Sequence, residues 1–311
     1  MMSCCRHFAL LWRWSSKAHT VRGAILVASA AAASLVAQEP PRFQSGVDLV
    51  TVTATVTDRD DRFVSGLSRN DFAIFEDAQR RDILYFADES VPVSLGILLD
   101  ASGSMSAGKL RLARESLSRL VAHDLDPTSE WFFARFGFSL VLTQEWTKDR
   151  EAIVQALREV HTTGDTALYD AIALAIPLAE DGHFQKKALL LVSDGGESKS
   201  LLSLAEVQKA IGESDVRVYG IGVDAADGRP GERLNMKTLQ RVADDTGGRT
   251  EIVAHSAAIP AATARIADEL RHQYLLSYST DVPKDGRRHT IRLDVRGRGL
   301  KVRARRGFVA N

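Results

Sequence analysis

The sequence predicts an α/β protein: a doubly wound, mostly parallel sheet with helices on both faces, flanked by N- and C-terminal β segments that form a small β-sandwich. Three observations predict it. From Val91 to about residue 270, short apolar runs alternate with segments whose apolar residues recur at helical spacing, the pattern of strands joined by crossover helices. On both sides of that region the apolar period falls to two, the mark of half-buried strands. Finally, Asp100-Ala101-Ser102-Gly103-Ser104 leaves the end of the apolar run Val93-Ser94-Leu95-Gly96-Ile97-Leu98-Leu99. Open α/β sheets place their ligand sites beyond the carboxyl ends of strands, where these three oxygen-bearing side chains fall.

The chain has 311 residues, enough for one large domain and a smaller one. Its hydrophobic content of 45% and charged content of 26% are those of a globular chain and exclude a disordered one. The first 37 residues stand apart. Arg6, Arg13, Lys17 and Arg22 precede an apolar stretch from Ala24 to Ala37 that contains no acid. That stretch suits the core of an export signal and is short for a membrane span. Cleavage after Ala37 would leave Gln38-Glu39-Pro40-Pro41 as the new N-terminus; an uncleaved anchor is the alternative. Without the leader, 36 basic and 40 acidic side chains remain, a balance that gives no reason to expect nucleic acid as a partner. Both cysteines, Cys4 and Cys5, fall in the leader, so the mature chain would hold no disulfide or thiolate metal site. The expected organisation is a signal peptide (1–37), an N-terminal β segment (38–90), the α/β domain (91–270) and a C-terminal β segment (271–311). The product is expected to be secreted or periplasmic, with no membrane span after signal cleavage.

Within the first β segment, Val50, Val52, Ala54 and Val56 alternate with threonines in a single strand, and Asp58-Arg59-Asp60-Asp61 marks its turn. Phe72–Phe75 and Ile83–Phe86 supply two more strands. In the α/β region, Leu110, Ala113, Leu117, Leu120 and Val121 define a helix after the Asp100 loop. Trp131–Phe138 and Leu140–Thr143 are strands joined at Gly137-Phe138-Ser139, and Thr147 is the expected cap of the next helix. Thr166 opens a helix carrying Leu168, Ile172 and Ala175, in which Pro177 is expected to introduce a kink. Ala188–Val192 is an apolar run of the buried parallel-strand kind. Ser203 and Glu206 form a capping box, Val216–Val223 is a strand, and the helix through Leu239, Val242 and Ala243 stops at Gly247-Gly248. A short strand, Arg249–Val253, and a helix through Ile259, Ala262, Ile266 and Leu270 close the region. Tyr274–Tyr278, His289–Val295 and Leu300–Arg305 return to β structure. The face formed by Val50, Val52, Ala54 and Val56 is too small to stand alone. Ile291, Leu293 and Val295 offer it a partner, which makes the α/β domain an insertion into one β unit.

Two further loops end on oxygen donors. Thr166 follows Gly164-Asp165 at a helix start, and Asp194 follows the apolar strand in Val192-Ser193-Asp194-Gly195-Gly196. Hydroxyls and carboxylates are what a hard divalent cation such as Mg²⁺ takes as ligands. With these three elements in this order, the chain resembles a von Willebrand factor type A domain with a metal-ion-dependent adhesion site. Asp100, Ser102 and Ser104 match that family's Asp-x-Ser-x-Ser loop, Thr166 its threonine before a helix, and Asp194 its aspartate after a central strand. Residues 47–309 as a whole resemble bacterial secreted proteins related to that family. In those, a short β segment precedes the domain and an arginine-rich strand pair ends it, here Gly286-Arg287-Arg288-His289-Thr290-Ile291 through Val302-Arg303-Ala304-Arg305-Arg306-Gly307-Phe308. The resemblance implies a Rossmann-like fold and a centre in which the hydroxyls bind Mg²⁺ (or Mn²⁺ or Ca²⁺) directly while the two aspartates act largely through water. Few anionic ligands leave the cation electrophilic, so a Glu or Asp of an unidentified protein partner can complete its octahedron.

The function expected is therefore non-enzymatic: divalent-cation-dependent protein binding, an adhesion or docking role. The alternatives are a structural envelope component whose metal only stabilises the fold, and a metal-dependent hydrolase, for which Glu197 and His161 are the acid–base candidates. Asp165 and Asp170 are assigned to a turn and to the helix surface or the surroundings of the site. The scattered histidines lack zinc-ligand spacing, and the glycine pairs at 195–196 and 247–248 form no nucleotide-binding fingerprint. Lys301, Arg303 and Arg305 alternate on one strand face and are expected to form a basic edge that resists aggregation; an anion-binding surface is the other possibility. Trp131, Trp146, Phe132 and Phe133 are assigned to the core. N-terminal sequencing of the mature protein recovered from outside the cytoplasm should begin near Gln38; recovery of the intact leader on cytoplasmic protein would remove the export expectation.

Overall fold

The computed structural model describes residues 48–88, 91–223 and 236–310. The leader, its cleavage position and the linker before residue 47 lie outside the described residues. Central to the fold is strand β5 (Val93–Asp100), every residue of which is buried. It lies in a six-stranded sheet with β6 (Glu130–Phe136), β7 (Leu140–Thr147), β8 (Lys186–Ser193), β9 (Arg217–Val223) and β10 (Thr250–Val253). The order is β10-β9-β8-β5-β6-β7, and only β7 runs antiparallel. Because side chains alternate along a strand, β5 feeds two cores. Leu95, Ile97 and Leu99 pack with helices α1 (Ala107–Arg119), α2 (Arg150–Arg158) and α6 (Ile259–Arg271). Leu98 packs on the other face with α3 (Leu168–Glu180), α4 (Leu204–Glu213) and α5 (Met236–Thr246). Gly96 sits on that second face because a β-carbon there would lie 2.3 Å from the Phe132 ring.

The flanking segments form two antiparallel sheets. One has the order β13-β1-β11-β4 and the other β14-β12-β2-β3. Their strands are β1 (Asp48–Thr57), β2 (Phe72–Glu76), β3 (Gln79–Arg81), β4 (Ile83–Ala87), β11 (Gln273–Thr280), β12 (Arg288–Val295), β13 (Lys301–Ala304) and β14 (Gly307–Val309). Val50, Val52, Ala54 and Val56 share one core with Ile74, Tyr274, Leu276, Ile291 and Leu293, so N- and C-terminal segments of the chain bury one another. The α/β unit leaves this sandwich after β4 and returns through β11, and those two strands are paired, Ala87 opposite Leu275.

Several local expectations change. The cap of α2 is Asp149, whose carboxylate accepts from the backbone N–H groups of Glu151 and Ala152; Thr147 ends β7 instead and its hydroxyl accepts from Asp149 N. Strands β3 and β14 are additional, too short to show a period. The helix after the Asp100 loop closes in a π turn over Leu120–Asp124. The strand carrying Lys301 and Arg303, β13, is an edge strand as expected, but the cations are paired within the molecule. Arg303 pairs with Glu269 and Arg305 with Asp215, so both cations are consumed inside the molecule, while Lys301 meets Asp61 at 3.1 Å.

Glu269 is the centre of the joint between sandwich and α/β unit. It lies on α6 with no exposed surface. Its Oε1 accepts from Thr55 of β1 at 3.2 Å and from the Tyr219 hydroxyl of β9 at 3.1 Å, and it also meets Arg303 of β13. Arg249 stands 3.8 Å from Oε2. Arg217 of β9 reaches across as well, donating to Thr55 Oγ1 at 3.3 Å and to the Thr53 carbonyl. Glu269→Ala should cost about 3 kcal/mol in urea unfolding, the low end for breaking a buried pair, because Arg303 and Arg249 keep partial access to water. A loss under about 0.5 kcal/mol, the scale of a surface pair, would show that the network is not coupled to stability.

Lys186 is buried at the start of β8 and donates to the Leu270 carbonyl. Burial, with Arg217 nearby, lowers its pKa to about 7, against the opposite pull of Asp126 and Glu269. In the unfolded chain the amine keeps a pKa near ~10.4, so above pH 7 the unfolded state binds the extra proton and stability rises with pH. Between pH 7 and 9 the wild type should gain up to about 1.4 kcal/mol per pH unit relative to Lys186→Met, and that contribution is lost as pH falls through 7. Parallel urea stability curves for the two proteins would contradict it.

Candidate functional site

The site lies beyond the carboxyl ends of β5 and β8, the end of the sheet opposite Lys186 and Glu269. Its first loop is fixed by its own aspartate. Asp100 has no exposed surface; Oδ1 accepts from Ser102 N at 2.8 Å and Oδ2 from Ser193 Oγ at 2.5 Å. The chain turns sharply after β5 as a result, with Ala101 N bonded to Phe136 O and Gly103 N to Gly164 O. Burial raises the Asp100 carboxyl to about 6, with Asp194 adding to the rise and the Ser102 and Ser193 hydrogen bonds opposing it.

The hydroxyls then follow in a chain. Ser102 Oγ lies 3.0 Å from Ser104 Oγ, which donates to Asp194 Oδ1 at 2.8 Å. Ser102, Thr166 and Asp194 are buried, and Ser104 is the exposed member. Thr166 stands just before α3. A β-carbon on Gly196 would lie 3.3 Å from Thr166 Oγ1 and 3.7 Å from Ser104 Oγ, so the backbone of the β8 loop passes close to both hydroxyls. All five sequence-predicted site residues, Asp100, Ser102, Ser104, Thr166 and Asp194, therefore lie on three loops at one end of the sheet. Hydroxyl and carboxylate oxygens in such an arrangement have the chemistry of ligands for a hard divalent cation. Among the described residues no group of three or more His, Cys, Asp or Glu is placed to hold a metal.

Three features of the site escape a reading of the sequence. Lys109, in the first turn of α1, donates to Asp194 Oδ2 at 2.6 Å and to the Ser104 carbonyl at 3.2 Å. The one available signal is its position: a cation in a helix's first turn opposes the helix dipole and needs another partner. Asp170 accepts from the backbone N–H groups of Leu201 and Leu202 at 2.9–3.1 Å, tying the loop after β8 to α3. Glu197 spends its carboxylate in the same way, accepting from Tyr169 N, Lys199 N and Ser200 N and Oγ. His161 is exposed, and its Nδ1 contacts the Glu159 carbonyl at 2.6 Å. Of the two hydrolase candidates, Glu197 is therefore engaged by backbone donors, and His161 is bonded to the Glu159 carbonyl through Nδ1.

Comparison with known proteins bears on the domain in which these loops lie. A family model described as the von Willebrand factor type A domain matches residues 95–197, which include all five site residues. The chain carries a von Willebrand factor type A domain. Such domains generally mediate protein–protein interaction or adhesion. Among curated relatives, inter alpha-trypsin inhibitor heavy chain 4 of Mus musculus is 23% identical over 227 residues, covering 65% of this chain and 22% of that protein. The human heavy chain H4 is 25% identical over 190 residues, 53% of this chain and 19% of the relative. The chain thus spans about a fifth of the length of these relatives. Among solved structures, the von Willebrand factor type A protein of Catenulispora acidiphila superposes with a TM-score of 0.51 at 13% identity, over 86% of this chain and 74% of that one. Proximal thread matrix protein 1 of the mussel byssus gives 0.51 at 14% identity, over 63% and 50%. At these identities the structural likeness speaks to the fold. No helix among the described residues is long and apolar enough to cross a membrane.

Proposed function

We propose that this protein is a non-enzymatic docking module that binds a protein partner through a divalent cation, Mg²⁺ or else Mn²⁺ or Ca²⁺. Asp100, Ser102, Ser104, Thr166 and Asp194 hold the ion, and a Glu or Asp of the partner completes its coordination. The observation that carries this reading is the hydroxyl chain from Ser102 through Ser104 to Asp194, beside Thr166, of which Ser104 alone is exposed. A centre open on one side leaves room for one outside ligand, and a centre rich in neutral donors leaves the cation able to attract an anionic one.

The surroundings support docking over hydrolysis. Glu197 is occupied by backbone donors, so no carboxylate is free to activate water from that loop. Two exposed apolar side chains stand on loops tied to the Thr166 segment: Phe138, 68% exposed, beside Gly137, whose carbonyl accepts from Ala167 N, and Leu201, 94% exposed, whose own N–H is held by Asp170. Held apolar residues next to a polar centre suit a protein surface better than a small solute. With the leader removed, the module would act outside the cytoplasm.

Calorimetric titration with Mg²⁺ or Mn²⁺ tests the reading. Asp100→Ala or Asp194→Ala should abolish binding while the fold persists, since the loops lie at the rim of the sheet. Ser102→Ala, Ser104→Ala and Thr166→Ala should each weaken it by about tenfold, the loss of one neutral oxygen ligand among six. Equal affinity in wild type and Asp100→Ala would place the ion elsewhere and end the docking mechanism.

A further inference from the structure

Among the described residues, Lys109 is the one cationic side chain bonded to a candidate ligand of the centre. Its ammonium bridges Asp194 Oδ2, at 2.6 Å, and the Ser104 carbonyl, at 3.2 Å, with the side chain 16% exposed and that of Asp194 2%. The position does nothing for the helix. Lys109 is in the first turn of α1, which has no acidic residue, and there a positive charge faces the positive end of the helix dipole. Its placement is therefore set by the site and not by α1.

Charge balance gives this contact a consequence. Asp100 and Asp194 are the two carboxylates of the centre and match a divalent cation charge for charge. Glu197 and Asp170 face backbone donors that join the segment 197–202 to α3, whereas Asp194 alone is bonded to a cation. Lys109 would share Asp194 with the ion, and it adds one positive charge beside the ion-loaded centre.

We propose that Lys109 is a specificity-determining residue: it lowers the affinity of the centre for its divalent ion and, once the ion is bound, raises its affinity for a carboxylate of the partner. This rests on the docking reading above. The ion alone cannot neutralise Lys109, whereas a partner's Glu or Asp can. A partner offering a neutral donor to the same position gains nothing from Lys109, so the residue discriminates acidic partners from amide or hydroxyl ones.

The full chain can be tested with two probes. Mn²⁺ is titrated calorimetrically into wild type, Lys109→Met and Lys109→Arg. Acetate is then titrated into each Mn²⁺-saturated protein, followed by the water-proton relaxation of the bound ion. Lys109→Met keeps the aliphatic stem and should bind Mn²⁺ about tenfold more tightly but acetate several-fold more weakly, the effect of removing one unit charge a few ångströms from the ion. Lys109→Arg keeps the charge and should stay within about twofold of wild type in both. A structural role alone would weaken both affinities together in Lys109→Met, and that outcome, or unchanged Mn²⁺ binding, overturns the proposal while leaving the docking reading in place. Absence of Mn²⁺ binding by the wild type would instead remove the docking reading, and this one with it.

Discussion

Glu269 carries a charge with no access to water, and a carboxylate in that position has to be surrounded by cations and donors to be tolerated at all. Its partners come from every part of the molecule: Thr55 and Arg303 from the sandwich, Tyr219 from the central sheet, and Arg249 from the turn before β10. The α/β unit and the sandwich are therefore bound by more than apolar contact, which tolerates sliding. Charged hydrogen bonds have directions, and they allow the two units one mutual orientation. In that orientation the sandwich meets the amino end of β9, through Arg217 and the Asp215–Arg305 pair. The carboxyl ends stay clear, and the candidate site stands there.

The site itself is built on a division between acids that shape loops and acids that serve the centre. Asp170 and Glu197 hold the segment 197–202 against α3 through backbone donors. Asp100 does both, ordering its own turn through Ser102 N while sharing a hydrogen bond with Ser193. Asp194 is held between a serine hydroxyl and an ammonium. That side-chain network, with Gly196 set close against Thr166, keeps the hydroxyls of two loops and the carboxylate of a third at one end of the sheet.

Much of this was legible in the sequence, for reasons that differ by element. The parallel strands were readable because they are buried on both faces and therefore continuously apolar, as in Ala188–Val192. The sandwich was readable from the strict alternation of Val50, Val52, Ala54 and Val56. The five oxygen-bearing residues could be chosen because each lies next to a strand end or helix start that the apolar pattern itself locates. What escaped was long-range charge pairing. Arg303 and Arg305 look like a solvated basic strand until Glu269 and Asp215 are brought to them, and nothing in the spacing of Lys109 from Asp194 places the two in contact. Strands β3 and β14, three residues each, were too short to carry a period. Asp149 displaced Thr147 as a helix cap because the strand before it ran on for four residues beyond the expected end.

The pairing of β4 with β11 has a bearing on how the chain folds. Ala87 and Leu275 are cross-strand neighbours, so in topological terms the two strands are a hairpin whose loop is an entire α/β domain. Closing so long a loop as unstructured chain would cost on the order of 4–5 kcal/mol in entropy before any sandwich contact formed in return. If the α/β unit folds first, its own packing sets Val93 and Arg271 at the sandwich end of the sheet and that cost is already met. The sandwich is then the late element: its strands are synthesised at opposite ends of the chain, and they have no closed core until the inserted domain has brought them side by side.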